Sequence, residues 1–413
     1  MKKIALLTTA LLQSSMVFAA GYQLQEYTVT GLGRSMAGVG VMGDDYSALA
    51  FNPAGMNFNE QSGAQLGFIG VDLRSRVQGS QTTYTTRTGK DFTHIFRLLP
   101  HAFGQYKIND KATLGLGLYT PFGLATDYRN NWYASAQGQY SGITVVDLTP
   151  ALSYKVTDSL TVGAGLNLQY AVAHLTGGTY DDGWTDMHDA KDTNVGYTFG
   201  LTFQPWKTTR VGLSYRSKVH HKLKGKNKGK QGSSMLTSFL NGTHDVHADI
   251  TTPETVIFSL AQDVGNQWTL SGTARFTRWS RFHDLNIYQD NYPLAGPMSQ
   301  THEHWRNTWF FAAGADYKFC KNLTFRLGTA YDQTAIKSTK YRTVRIPDQR
   351  RIWASIGASY QRDNWQIDAG YAHLFVRKAY GNAVTGSSMA PVEVHSTWKT
   401  QSNILGLQFQ YKF

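Results

Sequence analysis

A chain of 413 residues would suit two or three soluble domains or a single barrel. It carries 40 Gly, 23 Tyr, 21 Phe and 10 Trp, and beyond its first residues it has no run of ~18 apolar residues, which excludes a membrane helix. A closed β-barrel is the other architecture that satisfies every backbone group in lipid. The single cysteine, Cys320 in the polar turn 318–322, rules out an internal disulfide. Much of the net charge of +12 sits in the tract 220–230, which reads as a solvated loop facing anionic lipopolysaccharide or attracting anionic solutes.

At the start, Lys2 and Lys3 precede an apolar run, Ile4 to Leu12, and a small-residue stretch ending Val17-Phe18-Ala19-Ala20. This pattern predicts a secretory signal peptide over 1–19, cut after Ala19. The next segment, 20–61, reads as Gly- and Ala-rich turns and short helices without alternation. It either plugs a lumen or forms a periplasmic tail, and composition does not choose.

From residue 62 onward, apolar and polar residues alternate in segments bounded by turn residues. The predicted strands are 62–73, 92–107, 111–122, 146–156, 159–174, 194–204, 209–219, 246–263, 266–279, 305–318, 322–334, 349–361, 364–377 and 401–413. Leu160, Val162, Ala164, Leu166, Leu168 and Tyr170 alternate with Thr161, Gly163, Gly165, Asn167 and Gln169, one face suited to lipid and the other to a lumen. The last strand ends on Phe413 with Leu405, Leu407, Phe409 and Tyr411 on the same face. Short turns such as Asn109-Asp110 and Thr157-Asp158 alternate with long loops such as 74–91, 123–145, 175–193, 220–245, 280–304 and 378–400. That asymmetry belongs to an all-β, 14-stranded antiparallel transmembrane barrel over 62–413, placed in a bacterial outer membrane.

Catalysis finds little support. The histidines fall in loops, and no Ser/His/Asp arrangement stands out from scatter. His302 and His304 could bind a metal if strand geometry put both on one face, but two loop histidines are a weak signal. No cofactor and no metal are expected, and nucleic acid is not expected as a partner. A non-specific porin would need an open lumen.

The segment Ala20 to Gly38, with its Gly31-Leu-Gly-Arg34 run, then Asp44-Asp45 and Asn52-Pro53-Ala54, resembles the start of the FadL/TodX family of outer-membrane transporters. Further matches are Pro121 to Tyr128, Asp147 to Tyr154, Thr252-Pro-Glu254, Ile346-Pro-Asp348 with Arg351-Ile-Trp353, and Gly370-Tyr371, so the resemblance runs along nearly the whole chain. It implies a barrel with 20–61 as an N-terminal hatch in the lumen; a monomer is expected, although the sequence does not fix the oligomeric state. It also implies uptake of long-chain fatty acids or similar hydrophobic molecules by external-loop capture, an internal apolar pocket and lateral release. Transport of uncharged hydrocarbons or other lipids is the alternative, with an outer-membrane lipid hydrolase behind it.

Under that resemblance, Gly117, Pro121 and Gly123 mark a kink that opens the wall, because Pro121 lacks the N–H that a central strand donates. Tyr22, third in the predicted mature chain, reaches the pocket, and Arg306 is the head-group candidate. Asn52, Pro53 and Ala54 hold the hatch closed, Asn capping and Pro fixing φ. Burying about fourteen methylenes at ~0.8 kcal/mol each offers on the order of 11 kcal/mol before ordering costs. An exposed ion pair gives only ~0–1 kcal/mol, so the apolar lining sets affinity and a basic residue sets orientation. A second basic position expected at 175–178 is here Thr176-Gly177-Gly178, which favours uncharged ligands.

Overall fold

A computed structural model describes residues 21–413 apart from 84, 130–131, 180–182, 231, 233–237, 239–240, 291–294 and 388–389. The predicted signal peptide, 1–19, and its cleavage site lie outside the described residues. The chain forms a closed antiparallel barrel of fourteen strands.

The first six strands are β1 (Gly63–Thr82), β2 (Thr86–Lys107), β3 (Ala112–Asp127), β4 (Tyr140–Lys155), β5 (Leu160–Gly178) and β6 (Trp184–Trp206). The next four are each interrupted once: β7 (Thr209–Arg216, Val219–Lys230), β8 (Gly242–Thr252, Thr255–Val264), β9 (Trp268–Thr277, Asp284–Gln289) and β10 (Ser299–His302, Thr308–Cys320). Then follow β11 (Leu323–Asp332), β12 (Arg351–Arg362), β13 (Trp365–Val376, Ala379–Ser387) and β14 (Ala390–Lys412). The sheet closes where β1 pairs with β14, from Gly63 opposite Lys412 to Thr82 opposite Glu393.

Alternation decides which face meets lipid. Leu66, Phe68, Leu114, Leu116, Leu166, Leu270, Leu327, Leu405 and Leu407 are exposed on the outside, while their neighbours in sequence turn inward. Exposed rings ring the short-turn end, including Tyr106, Trp206, Trp268, Phe319, Tyr360 and Phe413, and Trp309, Tyr331 and Phe375 lie toward the long-loop end. Such girdles flank the apolar band of outer-membrane barrels, in which the long loops face outward.

Each predicted strand exists, but several run well past the predicted ends. The tract 220–230, expected to be a loop, is the upper half of β7 and pairs with Trp184–Lys191 and with Gly242–Thr252. Much of 74–91, 175–193 and 378–400 is likewise ladder. The reason is physical: above the membrane the outer face is polar, so Lys222, Lys224, Lys226, Lys228 and Lys230 point outward while His221, Leu223 and Asn227 are buried. Alternation survives there without an apolar partner to reveal it. Cys320, expected in a turn, ends the lower half of β10 and is exposed.

Residues 21–61 pack inside the barrel, almost all of them buried. They form two short helices, α1 (Val29–Gly33) and α2 (Ala48–Phe51), and a 3-10 helix, Pro53–Phe58. Thr28 caps α1 through Gly31 N–H, and Asn52 caps the 3-10 helix through Ala54 N–H, with Pro53 in its first turn. A four-membered ion cluster fastens the segment to the wall: Arg34 bonds Asp44 (2.6 Å) and Asp316 of β10 (2.9 Å), and Arg326 of β11 bonds Asp44 (3.0 Å) and Asp316 (3.1 Å).

Candidate functional site: a gap in the wall and an apolar cavity behind it

β1 and β2 pair along their full lengths, whereas β2 and β3 pair only from Ala102 opposite Leu118 down to Lys107 opposite Thr113. Above Leu118, β3 stays with β4 but shifts register between Tyr119 and Phe122, the stretch that holds Pro121. Between 94–101 of β2 and 119–126 of β3 there is therefore no ladder among the described residues. The margins rejoin at the top, where Thr93 Oγ1 donates to Asp127 O and Arg129 Nε donates to Asp91 at 2.5 Å. Gly117 and Gly123 bracket the irregular stretch, Gly117 just below the last rung shared with β2. Pro100, which sequence reading passed over, stands on the opposite margin.

The N-terminal segment fills this window. Gln23 bridges Phe122 in antiparallel fashion, Leu24 N–H donates to Pro121 O (2.9 Å), and Gly123 N–H donates to Tyr22 O (2.6 Å). Residues 22–24 thus take up the β3 edge that β2 abandons. Gly21 has φ +64, and a Cβ there would stand 2.3 Å from the Trp305 ring and 2.9 Å from Trp279, so only glycine fits between the two indoles.

Tyr22 packs against Trp279 (4.7 Å between centroids), Phe282 (5.6 Å), Phe122 (5.9 Å) and Trp305 (5.9 Å), and its hydroxyl donates to Thr251 O at 3.0 Å. Behind it lies a cavity of about 50 Å³. Its walls are Leu124, Ile143, Ala173, Leu175, Met187, Leu223, Ala248, Ile250, Phe282, Leu285 and Ile346, inward positions of β3 to β9 together with the loop after β11. Binding pockets for small ligands typically measure ~300–1,000 Å³. This cavity is closed in the present conformation, and any ligand of that size would have to displace part of its lining. Larger clefts lie elsewhere: one of about 770 Å³ and mixed lining at the external rim, and two of about 490 and 320 Å³ with mainly polar linings at the short-turn mouth.

The cavity holds one cation, Arg345, on the long loop between β11 and β12. Its Nη1 donates to Ser141 Oγ (2.8 Å), Tyr140 O (3.1 Å) and Thr176 O (3.2 Å). Burial brings its pKa down to about 10, against the pull of Glu303, so it stays charged at neutral pH. Glu303 is buried in turn and accepts from Trp305 Nε1 at 2.9 Å; burial pushes its carboxyl up to about 8, while that hydrogen bond and Arg345 act to lower it.

Of the predicted residues, Tyr22 lines the cavity, and Pro121 and Gly123 touch the segment that carries it. Arg306 is exposed, its Nε donating to Thr334 O at 3.2 Å, and it is not part of the lining. Asn52, Pro53 and Ala54 lie deeper: Asn52 Nδ2 donates to Leu201 O (2.9 Å) and Asn52 Oδ1 accepts from Ala54 N–H (3.1 Å), while Ser153 Oγ donates to Ala54 O (3.2 Å). Arg345 went unnoticed in the sequence, although a trace of it was there. Where a second basic residue was expected, at Thr176-Gly177-Gly178, a Cβ on Gly177 would lie 3.2 Å from Arg345 Nη2, so the arginine reaches in from another loop over a strand kept small.

Comparison with known proteins agrees with this architecture. Residues 10–413 match the family model described as outer membrane protein transport protein (OMPP1/FadL/TodX). The chain is similar to outer membrane protein P1 of Haemophilus influenzae, 27% identical with all of both chains covered. It is also 26% identical to a long-chain fatty acid transport protein of Escherichia coli O6:H1, covering 100% of this chain and 98% of that one. Among solved structures, a Pseudomonas aeruginosa FadL homologue superimposes with a TM-score of 0.87 at 25% identity, over 95% of this chain and 100% of that one.

Proposed function

We propose, on the premise that this chain belongs to the OMPP1/FadL/TodX family of outer membrane transport proteins, that it carries long-chain fatty acids or closely similar amphiphiles inward across the outer membrane. The observation that carries this reading is an apolar cavity with a half-buried arginine in its lining, set directly behind a stretch of wall where β2 and β3 share no ladder among the described residues. Apolar walls give affinity for a hydrocarbon chain in proportion to the area buried. Arg345, charged and poised between Ser141 and Thr176, supplies a donor fork for a carboxylate, and hydrogen bonds to charged groups are the strong ones.

The path follows from the parts. At the external mouth Tyr128 stacks on Trp132 at 3.9 Å in a cluster with Tyr133 and Trp398, and a hydrophobic molecule is captured from outside by displacing part of that aromatic cluster. Lipopolysaccharide is the surrounding partner on that side, met by the outward lysines of β7. Entry into the cavity displaces Tyr22. Because Tyr22 and Gln23 also occupy the β3 edge, the same displacement clears the window beside Pro121 and lets the ligand leave sideways into the bilayer. Residues 20–61 act as the hatch, with Asn52-Pro53-Ala54 as its fixed anchor and 21–27 as its moving end, and one chain suffices for the cycle.

The test is to titrate palmitate, methyl palmitate and toluene against the detergent-solubilised barrel while following tryptophan emission, since Trp279 and Trp305 pack on Tyr22. Saturable palmitate binding that exceeds binding of the methyl ester supports the assignment. Tighter binding of toluene would move the site to uncharged hydrocarbons, and no binding of any of the three would remove it.

A further inference from the structure

The upper half of β9 pairs with the short strand Ser299–His302, placing Asp284 directly opposite His302. Their side chains share a face and meet, His302 Nδ1 lying 2.6 Å from Asp284 Oδ1. Beyond His302 the chain turns sharply. His283 O accepts from both Glu303 N–H and His304 N–H at 2.8 Å, and His304 takes a φ of +42. The turn brings the His304 ring back over that of His302, with centroids 5.6 Å apart and planes 17° from parallel. One ligand atom from each of Asp284, His302 and His304 then lies within 4.8 Å of the others.

We propose that Asp284, His302 and His304 form a divalent transition-metal site on the external face of the barrel, taking Zn2+ or a cation of similar softness. Two imidazoles and one carboxylate are the donor set of open zinc sites, which hold the ion by three protein ligands and leave a position for water. Calcium and magnesium prefer oxygen ligands throughout, so this set selects against them. Zinc–ligand distances of ~2.0–2.2 Å set tetrahedral ligand atoms roughly 3.4 Å apart, so the hydrogen-bonded His302 and Asp284 must part slightly while the other separations close, all within the reach of side-chain rotation at a partly exposed site. His302 is exposed and the other two are half-buried, so the ion can enter from outside.

The site lies on the back of the cavity wall. Asp284 sits between Phe282 and Leu285, which line the cavity, and Glu303 between the two histidines turns inward to Trp305. A bound cation would clip the two segments that carry these residues.

Untagged full-length barrel is titrated with ZnCl2 against a chromophoric chelator, with hydrogen exchange of peptides spanning 282–305 as a second readout. The expected result is one Zn2+ per chain, with slower exchange in those peptides. The H302A/H304A pair should weaken binding about tenfold or more and abolish the slowing, D284N should weaken it similarly, and H220A/H244A should change neither. Heat-modifiable gel mobility confirms that each variant is folded. Binding unaffected by H302A/H304A, exchange indifferent to zinc, or displacement by excess Ca2+ would each overturn the proposal.

Discussion

The carbonyl of Tyr22 accepts a 2.6 Å hydrogen bond from the amide of Gly123, so a residue whose ring walls the apolar cavity is, through its backbone, part of the barrel wall. Cavity and window are thereby one element seen from two sides. Rotating the Tyr22 ring alone would enlarge the cavity and leave the wall sealed. Withdrawing residues 22–24 would open both, and in the proposed cycle this coupling would let a tightly bound ligand leave.

A tether across that contact should stop transport. Gln23 and Phe122 form a bridge flanked by hydrogen bonds rather than joined by them, the narrow kind of antiparallel pair, with Cα atoms about 4.5 Å apart. That separation lies in the range a disulfide spans, about 4.4–6.8 Å. In a C320S background, Q23C/F122C is expected to assemble normally, lose fatty-acid uptake when oxidised and regain it with reductant. Full uptake by the oxidised form would mean the window is not the exit.

Head-group recognition separates two arginines. Arg345→Leu removes the cavity's cation, and losing a hydrogen bond to a charged group costs about 1.5–3 kcal/mol, a roughly 10–150-fold weaker affinity for palmitate. Methyl palmitate should bind R345L almost as it binds the unaltered chain. Arg306→Leu, at an exposed site, should change palmitate affinity less than about twofold. The reverse pattern in a binding titration would restore Arg306 as the head-group residue.

The ion cluster at Asp44 should set how firmly the lumen is closed. Asp44 bridges Arg34 and Arg326, and its side chain is 24% exposed, so its loss falls between the ~0–1 kcal/mol of an exposed pair and the ~3–5 kcal/mol of breaking a buried one. Asp44→Asn is expected to keep the barrel intact, raise channel openings in planar bilayers and expose 21–61 to protease. Burial alone would raise the Asp44 carboxyl, but Arg34 and Arg326 outweigh it and hold the group well below the usual carboxylate range. A depressed folded pKa stabilises above the unfolded value of about 3.9, and that stability is lost as pH falls through the folded one. Protease protection of 21–61 should therefore hold from neutral pH to about 4 and decline only in stronger acid. An earlier decline, near pH 6, would place the latch elsewhere.

The barrel was legible in the sequence because lipid marks one face of each strand, as Leu160 to Tyr170 shows. Where strands rise out of the membrane the mark disappears, and the tract 220–230 passed for a loop although it is ladder. The window was legible at Pro121 because a missing N–H is written in the residue itself. The cavity was not, because it draws isolated inward residues from seven strands and its charge from an irregular loop far along the chain. No period or spacing joins Leu124 to Arg345; only closure of the barrel does.

The anchor of the N-terminal segment offers the last test. Asn52 presses so closely on β6 that a Cβ at Gly200 would stand 1.9 Å from its Oδ1, the atom that caps Ala54. Gly200→Ala must therefore push Asn52 off Leu201 O and cost the cap, about 1 kcal/mol, as well as the contact to the wall. Deleting 52–54 removes the anchor altogether, while the barrel ladders, which do not pass through these residues, persist. Both variants should reach the outer membrane with normal heat-modifiable mobility. Uptake should fall severalfold in G200A and vanish in the deletion, because a segment without a fixed end cannot return residues 22–24 to the β3 edge. Unimpaired uptake by the deletion variant would show that the moving end needs no anchor and that opening is governed at the window alone.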